Sequence, residues 1–367
     1  MKGVISFVKK ESVLVISVVL AVVSSFFVPG ADYLSFIDFK TLSLLFCLMA
    51  VMAGFTASGL FAFSAKKLLN TAKTTRLVVS ILVLLCFFFS CFITNDVALI
   101  TFVPFAITVL SLADKKAVIP ITVILQTIAA NMGSALTPIG NPQNIYIFTV
   151  SGLTLLDFLS LMLPYAALTL VFLAVSFFFI KSETIKQEGD NPAPPKALYT
   201  LFYLVLFILS VLAVFGAVHY LLCLAATLVA LLIFDRKIIL KVDYSLLLTF
   251  VGFFVFVGNM GSIPAVKEFI STALSGKEIL FSALISQVIS NVPAALLLSG
   301  FTDNMSALLV GVNIGGLGTL IASMASLISY KYVAAAFPDK KGKYLLIFSV
   351  LNFALLGIML AASLIIK

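Results

Sequence analysis

Four polar interruptions hold the residue types that can do chemistry in an otherwise apolar chain. Thr94-Asn95-Asp96 breaks the run "FITNDVALITFVP", and Ser290-Asn291 breaks "ISNVPAALL". Two longer interruptions read "NMGSALTPIGNPQN", from Asn131 to Asn144, and "NIGGLGTLIASMAS", from Asn313 to Ser326. Hydroxyls and side-chain amides hydrogen-bond anions, whereas carboxylate, amide and carbonyl oxygens suit hard cations such as sodium. On that chemistry Thr94, Asn95, Thr137, Pro138, Asn141, Ser290, Asn291 and Thr319 are assigned to an anion. Asn95, Asp96, Asn131, Asn291, Asn313 and the carbonyls of Gly133 and Gly315 are assigned to a cation.

The elements that position these residues follow from composition. Hydrophobic residues make up 62% of the 367 and charged residues 10%, with 35 Phe, and mean hydropathy is +1.23. A soluble domain carries about 25% charged residues, so the chain is expected to be an all-α polytopic membrane protein. Ordinary spans are placed at about 12–29, 41–63, 158–180, 198–218, 220–234, 244–259 and 344–366, each apolar enough to cross a hydrocarbon core of about 30 Å. The net charge of +8 is scattered over short loops rather than gathered into a nucleic-acid-binding tract. With the N-terminus cytoplasmic, nineteen basic residues fall inside and four, Lys40, Lys267, Lys277 and Lys367, outside. Cys47, Cys86, Cys91 and Cys223 lie in apolar runs without CxxC spacing and read as buried free thiols.

The same topology makes 77–112 enter and return, because Arg76 and Lys115-Lys116 must lie on one side. We read it as a re-entrant hairpin with Thr94-Asn95-Asp96 at its tip. The next segment, 117–150, is too long for one span, and Gly133, Pro138, Gly140 and Pro142 break it. Asn141 followed by Pro142 reads as an N-cap and first residue of a new half-helix. The motifs recur: Asn95 aligns with Asn291 at an offset of 196, and Asn131, Gly133 and Thr137 align with Asn313, Gly315 and Thr319 at 182. The expected layout is therefore two inverted-topology repeats, 1–180 and 219–367, joined by a cytoplasmic linker at 181–197 and a connecting span at 198–218. A second hairpin at about 279–303 and a second broken helix at about 305–337 complete some nine spans plus two hairpins. Inverted repeats with broken helices are the architecture of secondary transporters.

At these residues the sequence resembles the ion-transporter superfamily of divalent-anion/sodium symporters, citrate carriers, arsenite exporters and sodium/proton antiporters. "FITNDVALITFVP" and "GSALTPIGNPQN" look like those of its small bacterial anion permeases. The resemblance implies hairpin tips facing two broken helices in a mobile domain, homodimers and elevator-like movement. Dicarboxylate members carry Ser-Asn-Thr at both tips; here the tips read Thr94-Asn95-Asp96 and Ser290-Asn291-Val292, so the final Thr is replaced at each.

Asp96 is the one carboxylate expected at membrane depth, where an ionisable group is costly and by default functional. It reads as a sodium ligand or a proton carrier, with a helix N-cap as the plainer alternative. His219 is the only histidine, HExxH is absent, and no serine has a base at matching depth, so an enzyme is not expected. The expected ligands are a small anion and a coupling ion, Na+ or H+, with no cofactor, transition metal or nucleic acid. The setting is a bacterial cytoplasmic membrane. A sodium/proton antiporter, an arsenite exporter and, more remotely, a channel are the alternatives.

Overall fold

The computed structural model describes residues 11–29, 32–60, 63, 72–184 and 194–366. Lys2, Lys9, Lys10, Lys66, Lys67, Lys186 and most of the expected linker lie outside the described residues. Among the described residues all regular structure is helical, apart from an isolated bridge between Thr74 and Thr184.

The first half contains α1 (Ser12–Phe27), α2 (Phe39–Ser58), α3 (Thr75–Ser90), α4 (Asn95–Leu112), α5 (Ile119–Ala135), α6 (Pro142–Ser151) and α7 (Leu155–Phe178). The rest contains α8 (Ala197–Val214), α9 (Tyr220–Phe234), α10 (Arg236–Ile239), α11 (Tyr244–Gly261), α12 (Pro264–Leu274), α13 (Glu278–Ile289), α14 (Asn291–Ser299), α15 (Met305–Ile314), α16 (Met324–Ala336) and α17 (Lys341–Ser363). Local sequence sets many boundaries. Asp38, Thr74, Asp243 and Asn304 each accept a backbone N–H of the first turn that follows. Thr154 and Asp157 form a reciprocal capping box. Gly59 and Gly152 end α2 and α6 at φ 79° and 71°.

Seven of the described helices are long and apolar enough to cross a membrane. They include α4, read from sequence as a hairpin arm, but neither α1 nor α9, whose 16 and 15 residues rise about 24 and 23 Å. The helices of the expected hairpins differ in reach. In the first, α3 and α4 rise about 24 and 27 Å; in the second, α13 and α14, of 12 and 9 residues, rise only about 18 and 14 Å. The stretch around Lys267, placed outside by the sequence, folds into α12, begun by Pro264 at its first turn and bent 107° from α13.

The packing crosses between halves. The arm α3 lies on α5, and α13 lies on α15. The return arm α4 packs on α16 and the return arm α14 on α6, so each hairpin touches the far half of the other broken helix. Around this group α7 packs on α15 and α17 on α5, while α1 pairs with α11 and α2 with α8 and α9. All four cysteines are buried and free.

Candidate functional site

Each broken helix is pressed against its hairpin by a glycine. A Cβ on Gly133 would lie 2.2 Å from the Phe87 carbonyl oxygen and 2.5 Å from Ser90 Oγ; one on Gly315 would lie 2.8 Å from Ala283 Cα and 2.9 Å from Ser286 Cβ. Only a residue without a side chain permits this approach. The breaks leave helix-end carbonyls that need donors. Asn144 Nδ2 donates to the carbonyls of Ser134 and Thr137 at 3.1 and 3.0 Å. Gln287 Nε2 does the same for Gly315 and Leu317, both at 2.9 Å.

The predicted site residues separate into three groups. Thr137 and Thr319, expected to bind the anion, instead spend their hydroxyl protons on the hairpin arms: Thr137 Oγ1 donates to the Cys91 carbonyl and Thr319 Oγ1 to the Gln287 carbonyl at 2.9 Å. Gly133 O and Gly315 O, expected as cation ligands, accept from Cys91 Sγ at 3.2 Å and Gln287 Nε2 at 2.9 Å. Pro138 is buried within the first break. Thr137, Thr319, Gly133 and Gly315 tie the breaks to the hairpin arms. Cys91 and Gln287 are 196 positions apart and Thr137 and Thr319 182 apart, the two offsets that relate the sequence motifs.

Asn131 and Asn313 form a second group, buried one layer behind the tips. Asn131 Oδ1 accepts from Asn95 Nδ2 at 3.0 Å and Ser323 Oγ at 2.9 Å, and its Nδ2 faces Gly316 O at 3.3 Å and Ser326 Oγ at 3.4 Å. Asn313 Nδ2 donates to Asn144 Oδ1 at 2.8 Å, and its Oδ1 accepts from Gln143 Nε2 at 3.4 Å.

The third group lines a cavity of about 20 Å³. Asn95 and Asp96 begin α4, Pro142 and Gln143 begin α6, Asn291 and Val292 begin α14, and Ser323 and Met324 lead into α16. Four helix N-termini therefore meet at one point, each with a partial positive charge of up to about half an elementary unit. Asp243 and Leu246 of the α11 start close the remaining side. Among the described residues no lysine or arginine lines this cavity. Asp96 is half-buried and Asp243 exposed, so the cavity leads outward past the Asp243 end. Thr94 is half-buried beside Asn95, and Ser290 holds φ 77°, a strained value for a residue with a side chain, at the sharp turn between α13 and α14. Its neighbour Asn291 donates its backbone N–H to Ala322 O at 3.0 Å, tying the second tip to the second break.

Asn141 does occupy the N-cap position before Pro142, but its side chain makes no capping bond. Its Oδ1 has no partner at 1% exposure, nor has Gln143 Oε1, also 1% exposed. Of these two residues Gln143 lines the cavity, and Asn141 precedes it by two positions.

Residues 4–307 match the family model described as citrate transporter. The chain belongs to the citrate transporter family. Among its relatives, inner membrane protein YbiR of Escherichia coli (strain K12) is 34% identical over 318 residues, 84% of each chain. An uncharacterized transporter of Methanocaldococcus jannaschii is 34% identical over 300 residues, 80% of this chain and 81% of its own. The putative transporter arsB of Dictyostelium discoideum is 26% identical over 159 residues, 43% of this chain and 28% of its own. This citrate transporter family member is thus a multi-pass membrane transporter, as the resemblance at its motifs implied.

The sequence reading assigned no ligand to Asp243, Ser323 or Gln143. Ser323 was legible, because the offset of 182 sets it opposite Asn141. Asp243 had no such signal, since it reads as an ordinary helix cap.

Proposed function

We propose that this citrate transporter family member is a cation-coupled carrier of a small carboxylate or inorganic oxyanion. The observation that carries the reading is the convergence of four helix N-termini on one cavity edged by two carboxylates and no basic side chain. Helix N-termini attract an anion; Asp96 and Asp243 repel it until a cation or proton neutralises them. Cation binding at Asp96, with Gln143 lining the same cavity, therefore precedes anion binding. The coupling ion is Na+ or H+. At about 20 Å³ the cavity has room for one water or a bare monatomic ion and not for a carboxylate, so the anion enters only after the tips and breaks separate.

Matched offsets in the Thr137–Cys91 and Thr319–Gln287 contacts support two related halves, read here as inverted repeats with a cytoplasmic N-terminus. Alternating access then moves the hairpins and broken helices as one body, elevator-like, in a homodimer. Chemical cross-linking in membranes tests the dimer.

The decisive experiment is a thermal-shift screen of the purified chain against sodium, lithium, pH and a panel of carboxylates, sulfate, phosphate and arsenite. A ligand at 100 times its Kd adds about 2.7 kcal/mol. Stabilisation by an anion only when sodium is present, or only at low pH, supports the carrier. The small cavity and its paired carboxylates also favour a second reading, a sodium/proton antiporter, in which sodium or pH acts alone and no anion ever does. Arsenite stabilisation would select an arsenite exporter.

A further inference from the structure

A second cavity, of about 720 Å³, opens between the start of α3, the α4–α5 connection, the last turns of α7 and Leu351 of α17. Part of its wall is apolar, formed by Ile121, Phe172, Val175, Phe179 and Leu351. Val175 and Phe179 are 52% and 84% exposed, so this wall runs straight into surface that a membrane protein turns toward hydrocarbon. Such an apolar wall can take an acyl chain.

The other end of the cavity carries two ammonium groups, Lys115 and Lys181, and two carboxylates, Asp114 and Glu183. Lys115 Nζ lies 2.5 Å from Glu183 Oε2. The chain bearing Lys181 and Glu183 is held in place, since Thr75 N donates to Glu183 O at 2.8 Å and Arg76 Nε to Ile180 O at 3.0 Å. A purely anionic head group would meet as many carboxylates as ammonium groups. A zwitterionic one with N–H donors satisfies both signs.

We propose that this cavity binds a phospholipid with a phosphoethanolamine head group. Lys115 and Lys181 take the phosphate, Asp114 and Glu183 take the primary ammonium, and an acyl chain follows Phe172, Val175 and Leu351 outward. The Lys115–Glu183 pair is exchanged for lipid partners, so neither charge is left bare. A choline head group carries the same charges but no N–H to donate, and a glycerol head group has no cation. At about 720 Å³ the site takes the head group and the first part of a chain, the rest lying in the bilayer.

The test is native mass spectrometry and thermal stability of the purified full-length chain in bilayers of phosphatidylethanolamine, phosphatidylcholine or phosphatidylglycerol. The expected result is retention of phosphatidylethanolamine about tenfold over phosphatidylcholine. Asp114→Asn with Glu183→Gln, or Lys115→Gln with Lys181→Gln, abolishes that preference. Val175→Trp, which leaves every charge in place, expels the lipid by filling the apolar wall and guards against misfolding of the charge variants. Soluble phosphoethanolamine or inorganic phosphate alone produces no shift. Equal retention of phosphatidylcholine, preference for phosphatidylglycerol, full stabilisation by the soluble compounds, or an unchanged preference in the folded variants overturns the proposal.

Discussion

The side-chain amide of Asn95 donates to Oδ1 of Asn131 at 3.0 Å, joining the first hairpin tip to the helix half before the break. The same oxygen accepts from Ser323 of the second break, so three motifs share one buried acceptor. Asn131→Ala strands two donors at about 1–3 kcal/mol each and should destabilise the fold by about 3 kcal/mol. Denaturant or thermal unfolding in detergent measures this; a loss under 1 kcal/mol would mean that the shared acceptor matters little.

Asn95→Ala and Asn291→Ala should behave differently from Asn131→Ala. Both residues line the cavity at the start of a return arm, and each accepts the next backbone N–H on its own side chain, at 2.9 and 3.0 Å. Asn95→Ala also loses its donation to Asn131 Oδ1, which keeps Ser323 as a donor, and Asn291→Ala also loses a long contact from Ser290 Oγ; at about 1 kcal/mol for each bond both variants fold. Ligand-induced stabilisation should vanish in each, and binding retained in both would refute the shared site.

Asp96→Asn keeps the shape of the side chain and removes its negative charge. Cation-dependent uptake in proteoliposomes should be abolished, because the step that neutralises Asp96 no longer exists. The structure puts Thr94 at the N-cap and Asp96 in the first turn of α4. Uptake and cation dependence that both match the parent chain would therefore leave Asp96 as a first-turn acid at the positive helix end and not the expected cap.

Gly133→Ala forces a methyl group to within 2.2 Å of the Phe87 carbonyl, which is backbone and cannot swing away. Overpacking of this kind costs about 1–3 kcal/mol. Gly342→Ala, where a Cβ meets nothing within 4 Å, is the control and should be nearly neutral. Comparable thermal midpoints for the two variants would contradict the tight packing of α3 on α5.

The Lys115 ammonium holds the Glu183 carboxyl below its usual value of 4.5. A depressed carboxyl contributes its stability above the unfolded value and loses it as pH falls through the lower folded value. Thermal midpoints of the parent chain and Glu183→Gln should therefore differ slightly at neutral pH and converge as pH falls below 4.5 and through the lower folded value. The gap should shrink in high salt, since the pair is exposed. A gap that widens in acid would reverse the assignment.

Much of the architecture was written locally. An apolar run long enough to span, a proline after an asparagine, or a glycine among leucines acts through the residue's own backbone or its nearest turn. The sequence alone therefore located both breaks and both tips, and placed Pro142 as the first residue of α6. It also aligned the polar motifs at offsets of 196 and 182.

The direction of each polar side chain was decided only by tertiary packing. Thr137 and Thr319 have the chemistry of anion ligands, yet their hydroxyls are claimed by carbonyls 46 and 32 residues away, once Gly133 and Gly315 let the arms close in. Gly133 O and Gly315 O were similarly filled by Cys91 and Gln287. Asp243 joined Asp96 because the start of α11 reaches the same cavity, a meeting that no local pattern encodes. A hydrogen bond goes to whichever partner the fold brings within about 3 Å, and that distance belongs to the packed chain rather than to the residue.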